Sequence, residues 1–174
     1  MDCFNQEIDQ YTIEQLESSS GINFPNSQHT LLSEVNCVGV GLHTGNKLSL
    51  TLRPADANTG IIFRRTDIPG SGEIPARWDN VVDTRMCTTI GNNDGVTIST
   101  IEHVMAALSG CGVDNVYVDV SGSEVPIMDG SAQPFVFLIE CAGLLQQNAQ
   151  RRVIEILKSV RVGCGNKMAE ISPS

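Results

Sequence analysis

Apolar and polar side chains alternate strictly in two parts of the chain. Three leucines alternate with Ser49 and Thr51 over residues 48–52, and three valines alternate with Tyr117 and Asp119 over residues 116–120. A period of two predicts strands that bury one face. Further strands are predicted at residues 60–65, 86–90, 96–98, 153–162 and 168–171. The chain from residue 30 onward is therefore expected to be rich in strands.

Two segments instead repeat apolar residues at steps of three and four, which predicts helices. The first face comprises Ile101, Met105, Leu108 and Cys111 and is followed by Gly112; the second comprises Phe135, Leu138, Ile139 and Ala142. Ser131 is predicted as the N-cap of the second helix, Pro134 lies in its first turn, and Gly143 ends it. Strands, helix, strand, helix and strands in this order predict an α+β fold. Its two helices pack on one face of a mainly antiparallel sheet as a two-layer sandwich.

The first 28 residues differ in composition from the rest of the chain. No Lys or Arg precedes Lys47, whereas six acidic residues do: Asp2, Glu7, Asp9, Glu14, Glu17 and Glu34. Residues 1–28 also lack steady periodicity and end in the turn-rich segment 21–27. We therefore predict a mobile acidic extension over residues 1–28 and a domain over residues 29–174. An acidic start also argues against a secretory or transit peptide, since both need early basic residues.

Composition excludes several classes of partner. The net charge is −9, and no basic stripe is present to neutralise phosphates, so we expect no nucleic-acid binding. The longest apolar runs are too short for a membrane span. Hydrophobic residues make up 41% and aromatic residues 5%, which predicts an aliphatic core. Six cysteines without any C-x-x-C pair are interpreted as reduced cytosolic thiols, mostly in the core.

The strongest candidate for chemistry is Glu102-His103, an acid beside an imidazole at the start of the first predicted helix. A zinc amidohydrolase needs a carboxylate to move protons and an imidazole to hold its metal. Ser99 and Glu102 also fit the S-x-x-E capping box, in which Glu102 would only satisfy a backbone N–H. A catalytic zinc takes about three protein ligands. Ala106 and Ala107 stand where a second histidine of a zinc-binding helix would lie, so the sequence offers one convincing ligand.

Three other segments carry candidate residues with ordinary alternatives. His43 follows alternating glycines in residues 38–45, a pattern that can cradle phosphate but here favours a hairpin turn. Cys87 is either a nucleophile or a buried thiol, and without an identifiable base the buried thiol is favoured. Asp129-Gly130-Ser131 is typical of a tight turn that leads into a helix.

Several segments taken together match a known family. They are residues 38–45, 50–55, 64–67, 99–103 and 126–132. In this order they resemble the bacterial UDP-3-O-acyl-N-acetylglucosamine deacetylases, the zinc amidases of lipid A biosynthesis in Gram-negative bacteria. The resemblance covers about residues 28–174.

The resemblance implies a fold and a set of roles. The family has two similar α+β domains that face each other across the active site, and this chain corresponds to the first. The position of His103 binds zinc (Zn2+), and that of Glu102 is the general base that takes a proton from the attacking water. The positions of Met86, Cys87 and Thr88 lie near metal and substrate, with that of His43 close by. The implied substrate is an acylated nucleotide sugar, which loses acetate and gains a free amine in the cytoplasm.

The same resemblance implies that the chain lacks part of the site. In the family, two further zinc ligands, a histidine and an aspartate, come from the second domain, as does a second proton-transfer histidine. We expect that second domain to be missing here and to pack on this one in an intact enzyme. The alternative is a truncated, non-catalytic α+β module that lacks the remaining zinc ligands.

Overall fold

The computed structural model describes residues 26–173. In this range the strands are β1 (Ser27–Leu31), β2 (Val35–Val40), β3 (Lys47–Pro54), β4 (Ile61–Arg65), β5 (Glu73–Pro75), β6 (Val81–Asp83), β7 (Thr89–Gly91), β8 (Thr97–Ile98), β9 (Val116–Val120), β10 (Leu144–Gln150), β11 (Val160–Cys164) and β12 (Lys167–Ile171). The helices are α1 (Glu102–Gly110) and α2 (Gln133–Ala142), and Trp78–Asn80 form a short 3-10 turn.

The central sheet has the strand order β2-β3-β9-β4-β5, and the β4–β9 pair is its parallel neighbour pair. Leu50 lies opposite Val120 and Leu52 opposite Val118, so the leucines and valines of the two alternating segments share one face. Both helices cover that face, and their inner residues join the same core: Val104, Ala107, Leu108, Phe135, Ile139 and Ala142. The predicted α+β fold, with helices on a mainly antiparallel sheet, is confirmed.

A smaller sheet, β6-β7-β8, leads the chain into α1. Ile90 pairs with Ile98 and Gly91 with Thr97, so the chain forms a hairpin between the strands predicted at residues 86–90 and 96–98. The strand predicted from Met86 begins only at Thr89. The backbone N–H of Arg85 donates to the carboxylate of Asp83 at 3.0 Å and turns the chain there, so residues 84–88 form a loop.

A third pairing, β1 with β10, was not predicted because its residues are largely polar. Their amides are instead satisfied in a buried network centred on Asn115, which is 1% exposed. Its side-chain NH2 donates to Gln28 at 2.8 Å and to Gln147 at 2.7 Å. Its side-chain oxygen accepts from the Gly60 N–H at 2.8 Å. This network fixes the first described strand to the body of the domain.

The extension predicted over residues 1–28 overlaps the start of β1. Ser27 and Gln28, which we placed in the extension, are buried in β1. Residues 1–25 lie outside the described residues, so the mobile extension stays a prediction.

The strand predicted over residues 153–162 begins only at Val160 and forms an antiparallel hairpin with β12. Both strands of this hairpin are exposed along their whole length. The apolar residues of segment 153–159 are largely exposed too, which explains why periodicity alone misplaced the strand there.

Two further findings concern the described range only. The expectation that the cysteines lie mostly in the core is met only in part. Cys37 and Cys111 are half-buried and pack against the core, whereas Cys87 is half-buried in a loop and Cys141 and Cys164 are exposed. Neither helix has the length and apolar character that crossing a bilayer requires.

We expect Asn115→Ala to lower the free energy of unfolding by about 2–4 kcal/mol, because it removes the acceptor of the half-buried Gly60 N–H and one donor each to Gln28 and Gln147. Urea denaturation of the whole chain measures this change. The matched control is Asn36→Ala, at an exposed position of β2, which should stay within about 0.5 kcal/mol of the parent. Equal effects of the two substitutions would contradict a structural role for the network.

Candidate functional site

The first turn of α1 carries the acid–imidazole pair. Val104, Ala107 and Leu108 are buried against the sheet, so the helix turns Glu102 and His103 away from the core. Both side chains are half-buried. A carboxylate and an imidazole are thus presented side by side at the surface of the domain.

Glu102 is fixed by a contact with the loop before β7. Its Oε2 accepts a hydrogen bond from the Thr88 backbone N–H at 3.1 Å. The Ile101 N–H in turn donates to the Thr88 carbonyl at 3.4 Å. The capping box that the sequence allowed is not what the geometry shows, since Ser99 Oγ accepts from the Thr89 hydroxyl at 3.0 Å. Glu102 therefore orients toward the 86–88 loop.

The structure brings that loop to the start of α1. Thr88 touches Glu102 directly, and Cys87 is half-buried with its sulfur 3.8 Å from the Thr89 hydroxyl. Met86 is 82% exposed and contributes nothing to the core. The favoured interpretation of Cys87 as a buried thiol is thus only partly met, because the loop lies at the surface.

Sequence reasoning missed one residue of this region, Glu124. It is 1% exposed, and its carboxylate accepts hydrogen bonds from four donors. The donors are the backbone N–H groups of His43 at 3.0 Å and Thr44 at 3.1 Å, and the hydroxyls of Thr44 at 3.0 Å and Thr100 at 3.1 Å. The one available signal was a single acid in the otherwise apolar and small-residue segment 120–128.

Glu124 explains the alternating glycines near His43. A Cβ on Gly41 would lie 2.4 Å from Glu124 Oε2, and one on Gly39 would lie 2.9 Å from the Pro126 Cβ. The glycines therefore allow β2 and its turn to pack on segment 124–128. Val40 pairs with Lys47, which confirms the favoured hairpin turn over a phosphate cradle. His43 itself is exposed at this turn.

Thr100, which donates a hydrogen bond to Glu124, lies just before α1 and has a strained backbone conformation. Its φ is +60°, a region that β-branched residues rarely adopt, and it is 2% exposed. Its hydroxyl reaches Glu124 Oε1, and the chain enters α1 two residues later. The Glu124 carboxylate thus contacts the backbone segment that leads into the helix with Glu102 and His103.

The turn before α2 lies on the same side. Asp129 accepts from the N–H of Ser131 at 2.9 Å and from its hydroxyl at 2.8 Å, and Ser131 Oγ accepts from the Gln133 N–H at 3.1 Å. This is the tight turn that the sequence predicted, although the N-cap position itself is Ala132. The bond from the Ser131 hydroxyl lowers the pKa of Asp129, and attraction to His103 adds to the effect.

The metal-binding capacity of this region is that of one imidazole. Over residues 26–173, no group of three or more His, Cys, Asp or Glu side chains is arranged to hold a metal ion. His103 is suited to be one ligand of a shared site, because it is half-buried beside carboxylates. The described residues do not complete such a site.

Comparison with known proteins gives a consistent match. Residues 28–174 match the profile of the family described as UDP-3-O-acyl N-acetylglycosamine deacetylase (LpxC). Proteins named UDP-3-O-acyl-N-acetylglucosamine deacetylase are similar over 146 residues, which is 84% of this chain and 48% of each relative. Those from Pseudoalteromonas atlantica and Idiomarina loihiensis are 51% identical, and the one from Aliivibrio fischeri is 53% identical. The chain spans about half the length of the curated relatives it matches.

The pKa of Glu124 supplies a test of its environment. Burial raises this pKa, but the hydrogen bonds from His43, Thr44 and Thr100 outweigh burial, so that the net pKa lies below its usual value. A depressed pKa stabilises the fold above the pKa of an unfolded glutamate, about 4.3, and this contribution is lost as the pH falls through the folded value.

We therefore expect Glu124→Gln to lower the free energy of unfolding by about 1–3 kcal/mol at pH 7, and this gap should shrink below about pH 4.3. Urea denaturation between pH 3 and pH 7 measures the gap. Glu73→Gln, at an exposed position of β5, is the matched control and should show little gap at any pH. A gap for Glu124→Gln that stays constant down to pH 3 would contradict an ionised, stabilising carboxylate.

Proposed function

The chain belongs to the UDP-3-O-acyl-N-acetylglucosamine deacetylase family, and we propose that it forms the base-bearing half of a zinc-dependent deacetylase. The proposed reaction hydrolyses the N-acetyl group of an acylated nucleotide sugar and yields acetate and a free amine. We further propose that this takes place in the cytoplasm as a step of lipid A biosynthesis in a Gram-negative bacterium. The family name of the relatives supports the substrate class.

The observation that carries this proposal is the placement of Glu102. The Thr88 N–H holds Oε2 and so orients the carboxylate. Within the described structure, Oε1 remains available to take a proton from a water molecule. A half-buried carboxylate that is oriented but not ion-paired suits a general base. Glu102 would later return the proton to the leaving amine or pass it to another group.

His103 would contribute one zinc ligand from the adjacent position. Zinc, when bound, polarises the amide carbonyl and a water molecule. A catalytic zinc takes about three protein ligands, so the remaining ones must come from outside the described residues. Met86, Cys87 and Thr88 would line the substrate side of the site, together with the exposed His43.

The structure exposes apolar surface that the proposed second half could cover. The hairpin β11–β12 exposes Val160, Val162, Met168 and Ile171, and Phe137 of α2 is 57% exposed. Exposed apolar groups of this kind mark surfaces that another unit covers. We propose that a second domain covers this hairpin and packs against the outer faces of the helices.

We expect the 174-residue chain to retain far less than one equivalent of zinc after dialysis against a mild chelator, because a single imidazole binds zinc weakly. Elemental analysis of the dialysed protein measures this, with His103→Ala as the reference for background metal. Near-stoichiometric zinc in the parent would overturn the expectation and would indicate a local site completed by His43 or Cys87.

The catalytic proposal is tested in a chimera. Residues 26–173 replace the matching part of the Aliivibrio fischeri relative, and release of acetate from UDP-3-O-acyl-N-acetylglucosamine is measured. We expect activity, a loss of about 10²–10⁴ in kcat for Glu102→Gln with zinc retained, and loss of both zinc and activity for His103→Ala.

The control in the chimera is Glu73→Gln, which removes an exposed carboxylate and should leave kcat unchanged. A folded, zinc-loaded chimera without activity would support the non-catalytic alternative. Full activity of Glu102→Gln would exclude Glu102 as the base.

A further inference from the structure

We propose that Glu124 is a positioning residue of the deacetylation site. Its carboxylate holds the His43 turn and the backbone that enters the Glu102–His103 helix in one arrangement. The proposal rests on the proposed function for its catalytic meaning, and on hydrogen-bond geometry for its structural content.

The partners of Glu124 are unusual for a buried carboxylate. Taking a charge out of water is costly, and buried carboxylates are normally paired with Arg or Lys. Among the described residues, no cation forms an ion pair with Glu124. Its charge is stabilised by four dipolar donors, all of which come from segments 43–44 and 100. The carboxylate thus joins the two segments that carry the candidate site residues.

The first contact of Glu124 is with Thr100, in the segment that leads into α1. Thr100 stands two residues before Glu102; its φ is +60° and its hydroxyl donates to Glu124 Oε1 at 3.1 Å. Ser99, the residue before Thr100, also bonds to both neighbours of Glu124. The Ser99 N–H donates to the Ser123 carbonyl at 2.9 Å, and the Val125 N–H donates to the Ser99 carbonyl at 3.0 Å. Without the carboxylate, Thr100 is free to relax to an ordinary conformation. The start of α1 would then move relative to Thr88.

The second contact of Glu124 is with the turn that carries His43. Glu124 binds the backbone of this turn, at the N–H groups of His43 and Thr44, and leaves the imidazole unengaged by this contact. Gly41 makes room for the carboxylate beneath the turn. The turn is therefore rigid while its histidine faces solvent. Misplacement of a reacting group by about 1 Å can cost about 10²-fold in rate.

The acceptor geometry distinguishes two substitutions. In Glu124→Gln, the amide oxygen at the Oε2 position still accepts from the Thr44 N–H and hydroxyl, and from the His43 N–H at 3.3 Å. The NH2 group at the Oε1 position loses the shorter bond from the His43 N–H but can donate to the Thr100 hydroxyl, which accepts as well as donates. In Glu124→Ala, all four donors lose their acceptor. Positioning should therefore survive in Gln and fail in Ala.

The first experiment uses the 174-residue chain and hydrogen exchange of backbone amides. We expect Glu124→Ala to reduce protection of the His43 and Thr44 amides by about 10²-fold more than that of amides in β3, whereas Glu124→Gln keeps most of it. Thr100→Val is a milder variant that removes one donor to Oε1, the oxygen that also accepts from the His43 N–H. It provides the readout if Glu124→Ala does not fold, and it should reduce protection at His43 and around Thr100 selectively.

The matched control is Asp119→Ala. Asp119 is also a buried carboxylate, but it lies on the opposite face of the sheet, where it accepts from Arg53 at 2.8 Å and Arg64 at 2.6 Å. This variant should destabilise the domain without a selective effect at His43. Unchanged protection of His43 and Thr44 in both Glu124→Ala and Thr100→Val would overturn the proposal, as would a loss no larger than in β3.

The second experiment measures kcat per folded, zinc-loaded chimera. We expect Glu124→Ala to lower kcat about 10–10²-fold, Glu124→Gln to stay within about threefold, and Asp119→Ala to lower the melting temperature without changing kcat. A role in stability only would leave kcat of folded Glu124→Ala at the parent value, and that outcome would refute positioning. An inactive parent chimera would count against the proposed function, while hydrogen exchange still decides the placement by Glu124.

Discussion

The pairing of β3 with β9 is the constraint on which the rest of the domain depends. Because Leu50 lies opposite Val120, and Leu52 opposite Val118, both apolar faces turn toward the helices. A shift of one residue would reverse every side chain and turn the charged face, with Asp119, into the core. The antiparallel direction also ends β9 beside the start of β3. The chain therefore leaves the sheet close to the turn of the β2–β3 hairpin.

This exit places Glu124 beneath the His43 turn. Gly122 allows the chain to pass close to the sheet, since a Cβ there would lie 2.5 Å from Leu48 Cδ2. Two residues further on, the carboxylate meets the donors of the turn and of Thr100. The β3–β9 register and Gly122 thus place Glu124 where its carboxylate contacts the segment that leads to Glu102. Core packing and site geometry are consequences of the same pairing.

The spacing of apolar residues predicted those elements that bury one face against the core. The alternating leucines and valines gave β3 and β9, and steps of three and four gave both helices, because those elements bury one face. Strand β10 escaped prediction because amide hydrogen bonds to Asn115, and not apolar burial, hold its Gln147. Glu124 escaped for a similar reason. Its partners His43 and Thr44 are about 80 residues away in sequence, and no spacing rule encodes such a contact.

The electrostatics of the site complete the argument for its chemistry. Glu102 lies in the first turn of α1, Glu124 accepts from Thr100 just before it, and Asp129 attracts His103. The ion pairs found within residues 26–173 involve none of these three carboxylates. Hydrogen bonds from Thr88, Thr44, Thr100 and Ser131 orient these carboxylates without neutralising them. The negative charge of Asp129 near the His103 imidazole would favour a cation in the proposed site. In the proposed function, the domain would supply one nitrogen ligand from His103 and an oriented base from Glu102, and the remaining metal ligands would come from outside the described residues.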